Sequence, residues 1–197
     1  MKRIKHLMNI ALAALFCVSC TKKTVDKNTL VVALGQAPST LDPRFATDAA
    51  GMRIGNLIFS SIVRLGPDLK VIGEIAESWT YNEKEKTYEF ALRPGITFAD
   101  GSPLTAEDIS FSFDQYRAAQ SPFANAYKMI ESVEARYDEQ AKSLRIKLKE
   151  FSATFLTDLT PLKILPKTKV SAMGQDFQKS LVGTGPFEFV KQDTAEI

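Results

Sequence analysis

Two stretches of the chain alternate apolar and polar residues with a period of two. In the first, residues 87–92, every second residue is a large apolar one. Successive side chains of a strand point to opposite faces, so this pattern predicts a strand with one buried face. Residues 78–82 precede it across a charged turn at 83–86 and are predicted to be its antiparallel partner.

In the second stretch, residues 144–149, three aliphatic residues alternate with three basic ones. The basic residues suggest an anion or nucleic-acid patch, but any half-buried antiparallel strand shows the same pattern. We therefore interpret them as the solvated face of a strand. Residues 129–137 are predicted to form its hairpin partner across a turn at 138–142.

One helix has a well-marked start. Thr105 is followed by acidic residues in what would be the first turn, which is typical of an N-cap. Ile109, Phe113 and Tyr116 then fall on one stripe of the helix, which predicts a face packed on a core. Weaker helical patterns predict three further helices, at residues 47–62, 152–159 and 167–173.

Two short apolar runs complete the pattern. Residues 29–34 are predicted to form a buried strand and residues 187–190 a short one. Clusters of Gly, Pro, Ser and Asp predict turns at 36–43, 98–103 and 183–186. Gly101, in the second of these turns, is expected to take a positive φ. Together these elements predict a mixed α/β fold with mostly antiparallel sheets.

The N-terminus has the pattern of an export signal. Basic residues precede an apolar run at 7–16 that is too short to cross a bilayer comfortably. The following Val18-Ser19-Cys20 resembles the end of a bacterial lipobox, although Cys17 stands where Leu is usual. We predict a lipoprotein signal peptide at 1–19, a lipid on Cys20 and a polar tether at 20–28. An ordinary secretory signal with an incidental cysteine is the alternative.

Removal of residues 1–19 changes the chemistry that remains available. It takes away Lys2, Arg3 and Lys5, so the formal net charge of +2 becomes −1. It also removes Cys17 and His6, the only histidine. The mature chain then has no Ser-His-Asp triad, no Cys-His nucleophile and no histidine or thiolate metal site. The lack of a long basic block argues against a nucleic-acid partner.

Motifs of catalysis and nucleotide binding are missing from the sequence, apart from weak candidates. No P-loop and no nucleophile elbow occur. Gly183 and Gly185 begin like a dinucleotide fingerprint, but Glu188 stands at the third glycine position. Paired Asp and Glu residues leave a carboxylate-based glycan hydrolase open on residue types alone. Trp79 suits a sugar platform, yet a tryptophan opening a strand is more often part of a core.

Several short motifs follow one another at regular places, and the set as a whole carries a resemblance. The motifs are TLDP at 40–43, IAESW at 75–79, TYEF at 87–90, LRPGITF at 92–98, DG at 100–101, LTAEDI at 104–109 and VGTGPF at 182–187. Placed after a lipoprotein signal, this series resembles the family 5 extracellular solute-binding proteins, which are the peptide and nickel receptors of ABC importers. The resemblance runs from about residue 29 to residue 190.

The resemblance implies a type II periplasmic-binding-protein-like fold, incomplete in this chain. Residues 29–44 and 181–197 would belong to a discontinuous lobe beside the cleft, and 45–180 to the extra domain of the family. Members of the family are more than twice as long. We therefore expect a truncated receptor without the opposing lobe and with little affinity of its own.

The resemblance also implies a function without catalysis or cofactor. An extended peptide, or another small solute, would bind between two lobes through main-chain contacts. The partners would be the permease and ATPase subunits of an importer, and the receptor would be a monomer held by its lipid in the cell envelope, facing the periplasm or the exterior. No metal is implied. The ligand-binding positions carried over are Thr47, Asp48, Ala49, Phe123, Thr184 and Gly185.

Two features of the sequence fit a second interpretation. Phe123 stands where peptide receptors of the family often have tyrosine, and it fits a loop aromatic covering the core equally well. A membrane-tethered scaffold that binds a partner protein also fits an exported chain without catalytic motifs. Such a scaffold would bind a protein and no small solute.

Overall fold

The computed structural model describes residues 29–193. Its contacts divide the chain into a unit that ends at Gly35 and a unit that begins at Gln36. The predicted signal peptide, the tether and Cys20 lie outside the described residues. Within residues 29–193 no helix is long and apolar enough to cross a membrane.

All helices and strands of the described residues belong to the second unit. In chain order they are α1 (Ala49–Ile58), β1 (Val63–Leu65), β2 (Val71–Gly73), β3 (Ala76–Asn82), β4 (Thr87–Leu92), α2 (Ala106–Arg117), α3 (Ala124–Tyr127), β5 (Ile130–Tyr137), β6 (Lys142–Leu148), α4 (Phe155–Asp158), α5 (Lys167–Met173) and a 3₁₀ helix (Gly174–Lys179).

A four-stranded antiparallel sheet in the order β3-β4-β6-β5 is the largest element. Both predicted hairpins are confirmed, because β3 pairs with β4 and β5 pairs with β6. The apolar residues of the period-two pattern lie on the buried face, with Phe90 opposite Leu144 and Tyr88 opposite Ile146. Arg145 and Lys147 of β6 lie on the other face, where Arg145 forms an ion pair with Glu89.

Helix α2 begins where the sequence predicts. The Thr105 side chain accepts a hydrogen bond from the Asp108 N–H, and the Asp108 carboxylate accepts one from the Thr105 N–H, so the two form a capping box. Ile109, Phe113 and Tyr116 are completely buried. The predicted core stripe is therefore confirmed, and it fixes α2 in the core.

The region after α1 contains a hairpin that the sequence pattern does not indicate. β1 and β2 are three residues each and pair antiparallel. Just before β1, Ser61 forms an isolated antiparallel bridge with Lys163, and the Ile164 N–H donates to the Ser60 carbonyl. The extended segment around Lys163 therefore lies beside the chain that leaves α1.

Both short apolar runs were wrongly predicted to be strands. Residues 29–34 and 187–190 are irregular in the structure. Leu30 and Val190 are 84% and 85% exposed. A strand needs a neighbour for its backbone N–H and C=O groups, and within residues 29–193 no strand pairs with either run. Without that pairing, apolar composition alone does not produce a strand.

The other helix predictions agree in place and differ in length. Helix α1 is shorter than the predicted 47–62, because extended residues from Phe59 onward lead into β1. Helix α4 occupies only four residues of the predicted 152–159. Helix α5 coincides with the predicted 167–173. Gly101 has a φ of 83°, as its turn requires.

Candidate functional site

The loop that leads into α1 is fixed by a buried ion pair. The Arg44 guanidinium lies 2.6 Å from the Asp42 carboxylate, and both side chains are buried. Arg44 also donates to the Gly174 carbonyl at 2.9 Å and to the Gln115 side chain at 3.1 Å. A guanidinium with several fixed acceptors holds its geometry well, so the turn of the LDP motif is a rigid support for the residues that follow.

Of the predicted ligand-binding residues, Thr47, Asp48 and Ala49 come directly after this turn. Asp48 is the N-cap of α1 and accepts from the Gly51 N–H at 2.8 Å. Hydrogen bonds from the Ser39 hydroxyl, and next from the Gly51 N–H, lower the pKa of Asp48 to about 2. The Asp48 carboxylate is thus occupied by the fold, whereas Thr47 and Ala49 are exposed.

Thr184 and Gly185 lie at the opposite end of α1. The Gly185 N–H donates to the Ile58 carbonyl at 2.8 Å, and the Ser60 hydroxyl donates to the Thr184 carbonyl at 3.1 Å. A Cβ added at Gly185 would lie 2.5 Å from the Leu57 carbonyl oxygen, so this close approach requires glycine. A ten-residue helix is about 15 Å long. The two predicted groups therefore border one helix without meeting.

Phe123 is half-buried and packs on Tyr116, with ring centroids 5.3 Å apart. The Tyr116 hydroxyl donates to the Pro43 carbonyl at 2.8 Å, and burial raises its pKa well above the ordinary value. Phe123 is therefore linked through Tyr116 to the turn before α1. It packs against the hydrophobic core, as its alternative interpretation predicts.

A cavity of about 350 Å³ opens along α1 and was not predicted from the sequence. Its lining combines helix residues with charged residues from β1, from the β2–β3 connection and from the segment before α5. Among these residues are Ala46, Gly51, Gly55, Arg64, Glu74 and Lys163. We call it the α1 cavity.

A chain of polar contacts forms the charged end of the α1 cavity. The Lys163 ammonium donates to the Ser61 hydroxyl at 2.8 Å and to the Thr160 carbonyl at 3.3 Å. The Ser61 N–H donates to the Glu74 carboxylate at 2.7 Å. Burial lowers the pKa of Lys163 to about 8, and the negative charge of Glu74 acts in the opposite direction.

One feature of the sequence points to Lys163 as an unusual residue. Lys163 interrupts the otherwise apolar run Leu162 to Leu165, whose other members are fully buried. A single charged residue in such a run marks either a bend that brings its side chain to solvent or a buried functional group. The periodicity of the sequence does not distinguish the two. For metals, residues 29–193 contain no cluster of three or more His, Cys, Asp or Glu side chains arranged to hold an ion.

Comparison with known proteins identifies the family. Residues 70–197 match the bacterial extracellular solute-binding proteins, family 5 Middle. The glutathione-binding protein GsiB of Shigella flexneri is 27% identical over 186 residues, which are 92% of this chain and 35% of that protein. GsiB of Pectobacterium atrosepticum is 27% identical over 81% of this chain and 31% of its own length. The chain thus spans about a third of the curated relatives it matches.

Solved structures give the same relationship. NikZ from Campylobacter jejuni, in complex with Ni(L-His), is 26% identical with a TM-score of 0.74 over 86% of this chain and 34% of its own. The oligopeptide-binding protein AppA from Bacillus subtilis, in complex with a nonapeptide, is 25% identical with a TM-score of 0.70 over 79% and 32%. The predicted type II binding-protein fold is thereby confirmed. The chain belongs to the family 5 bacterial extracellular solute-binding proteins.

Proposed function

We propose that the protein is the substrate-binding lipoprotein of an ABC importer that takes up peptides. The match of residues 70–197 to family 5 is the observation that carries this proposal. The names of the similar proteins support a small polar solute, since they bind glutathione, a nonapeptide or a nickel–histidine complex. A receptor of this kind binds its solute reversibly and needs no catalytic group.

The rigid turn before α1 supplies part of the solute site. Thr47 and Ala49 are exposed there, on a backbone held by the Asp42–Arg44 pair and the Asp48 cap. An extended peptide would use main-chain contacts at this turn. Thr184 and Gly185 would border the same site from the far end of α1, and Phe123 would contribute an aromatic edge.

The remaining parts of the proposal concern domains, anchor and partners. Residues 29–44 and 181–197 would form part of the cleft lobe, and 45–180 the extra domain of the family. Cys20 would carry the lipid that holds the receptor, as a monomer, to a membrane of the cell envelope. Permease and ATPase subunits would accept the loaded receptor and supply the energy of transport.

A substitution at the rigid turn tests the solute site. The protein is purified from its native host, together with any opposing lobe that the host supplies, with and without Thr47→Trp, and bound solutes are released by denaturation and identified by mass spectrometry. We expect peptides from the wild type and at least tenfold less from the variant, because the indole would occupy the space over the turn. Thr80→Trp, on the exposed face of β3, is the matched control and should retain them.

Three results would contradict the proposal. The first is a wild-type protein that releases no solute, and the second is capture of a partner protein alone, as a tethered scaffold predicts. The third is chemical conversion of a released solute, as a glycan hydrolase predicts. Equal peptide loads on the Thr47 and Thr80 variants would remove the turn from the site.

A further inference from the structure

The α1 cavity contains open space beside buried backbone. Gly55 is buried, yet a Cβ built on it would meet no atom within 4 Å. A closely packed helix would have filled this volume with a side chain. Gly51, one turn earlier, has no such room, because a Cβ built on it would lie 2.9 Å from the Thr40 carbonyl oxygen. The space is therefore localised at Gly55.

Lys163 brings a buried cation to this space. The residue is 6% exposed, and no carboxylate within residues 29–193 lies within 4.0 Å of its ammonium nitrogen. An ammonium has three N–H donors. Two acceptors, the Ser61 hydroxyl and the Thr160 carbonyl, are in contact with it in the described part of the chain. One donor is left for a further acceptor.

Glu74, the carboxylate of the cavity lining, acts on Lys163 only from beyond Ser61. The Glu74 carboxylate is bonded to the Ser61 N–H. Arg64 also lines the cavity, and its guanidinium lies 3.5 Å from the Leu65 carbonyl oxygen. Within residues 29–193 Arg64 forms no ion pair. The cavity therefore has two cations and one carboxylate.

A buried cation whose direct acceptors are all neutral is costly, and an incoming anion that accepts its remaining donor lowers that cost. Hydrogen bonds between ammonium or guanidinium groups and a carboxylate are about twice as strong as neutral ones. A volume of about 350 Å³ is at the small end of ligand pockets, which suits an organic acid of a few carbon atoms or one acidic end of a longer molecule.

We infer that the α1 cavity binds a carboxylate group, with Lys163 as the buried donor, Arg64 as the outer donor and the space beside Gly55 as the receiving volume. In its biological setting this inference rests on the proposed function, since the carboxylate would belong to the transported solute. The receptor would then select acidic solutes, such as peptides with an acidic side chain.

The test uses sodium succinate as the probe, titrated into the full chain at constant ionic strength. Binding is followed by the ¹⁵N signal of the Lys163 Nζ atom, identified by its loss in Lys163→Met. We expect a saturable shift in the wild type. Succinamide, the neutral analogue, should give no shift, and the balancing chloride should not reproduce the effect.

Two variants and one control locate the site. Gly55→Leu fills the open volume from a helical position and should weaken succinate at least tenfold, about 1.4 kcal/mol. Arg64→Met should weaken it severalfold. Lys70→Met removes an exposed lysine paired with Asp68 on the β1–β2 turn and should leave the dissociation constant unchanged. A thermal unfolding scan of each variant verifies that it is folded.

Four outcomes would overturn the inference. They are a Lys163 signal insensitive to succinate, equal binding by the Gly55→Leu variant, equal effects of succinate and succinamide, and tighter binding of inorganic phosphate than of succinate. Failure of the proposed function has a different signature, since a chain that binds succinate at Lys163 but carries no solute from its host retains the site and loses the transport role.

Discussion

At the residue scale, Lys163 ties stability to pH. Its folded pKa of about 8 lies below the unfolded value near 10.5. Between these values the unfolded chain binds more protons, so stability rises with pH across the window from about 8 to 10.5. Well below pH 8 the buried charge is present in full, and its cost to the free energy of folding no longer changes with pH.

Replacing this lysine by an apolar residue of similar length should therefore stabilise the chain at neutral pH. We expect Lys163→Met to raise the free energy of unfolding by about 1–3 kcal/mol at pH 7, a range that allows for the lost hydrogen bonds. The advantage should shrink between pH 8 and 10.5, as wild-type Lys163 becomes neutral. Urea unfolding at several pH values measures both effects, and a difference independent of pH would contradict the assigned titration.

The residues of the candidate site differ in how far the sequence reveals them. The motif series led to the turn before α1, where Thr47 and Ala49 are exposed on a rigid support. Lys163 escaped prediction because its neighbours at 162 and 164–165 read as core, and only the fold shows that it reaches a cavity. Contacts between segments about 100 residues apart, such as Ser61 with Lys163, leave no local pattern.

At the element scale, helix α1 offers a matched pair of glycines. Gly55 faces open space, whereas a Cβ at Gly51 would come within 3.0 Å of the Ala46 Cβ and closer still to the Thr40 carbonyl. Alanine has the higher helix propensity by about 1 kcal/mol, provided that the site has room. One helix thus contains a position where alanine should stabilise and a position where it should not.

We expect Gly55→Ala to raise the free energy of unfolding by about 0.5–1 kcal/mol and Gly51→Ala to lower it by about 1 kcal/mol or more. The first gains helix propensity without a clash, and the second must move backbone of the preceding loop. Urea denaturation of the two single variants beside the wild type decides this. A destabilised Gly55→Ala variant would mean that the space at Gly55 is filled in solution, and a stabilised Gly51→Ala variant would mean that the preceding loop has room for a side chain.

Some helices and strands can be predicted from the sequence, and others cannot. The hairpins β3–β4 and β5–β6 follow from alternation, since both strands of each pair lie within one short stretch of chain. The capping box of α2 is equally local. Strands predicted at 29–34 and 187–190 depended on distant partners, and the three-residue strands of the β1–β2 hairpin are too short for a period to be recognised.

At the scale of the whole molecule, the decisive proposal is attachment to a membrane through Cys20. The residues that precede it combine basic charge with a short apolar run, and a polar stretch at 22–28 separates it from the described part of the chain. One acyl chain holds a protein only marginally at a membrane, whereas several hold it firmly. Loss of the acylated thiol alone should therefore release the protein from the membrane.

Cells that express the wild type, Cys20→Ala or Cys17→Ala are labelled with palmitate and separated into membrane and soluble fractions. We expect label and membrane association for the wild type, loss of both for Cys20→Ala, and retention of both for Cys17→Ala. The Cys17 control matters because that thiol lies three residues away, within the segment that cleavage would remove. Persistent palmitate on the Cys20→Ala protein would refute the anchor, while unlabelled, soluble wild type would favour an ordinary secretory signal.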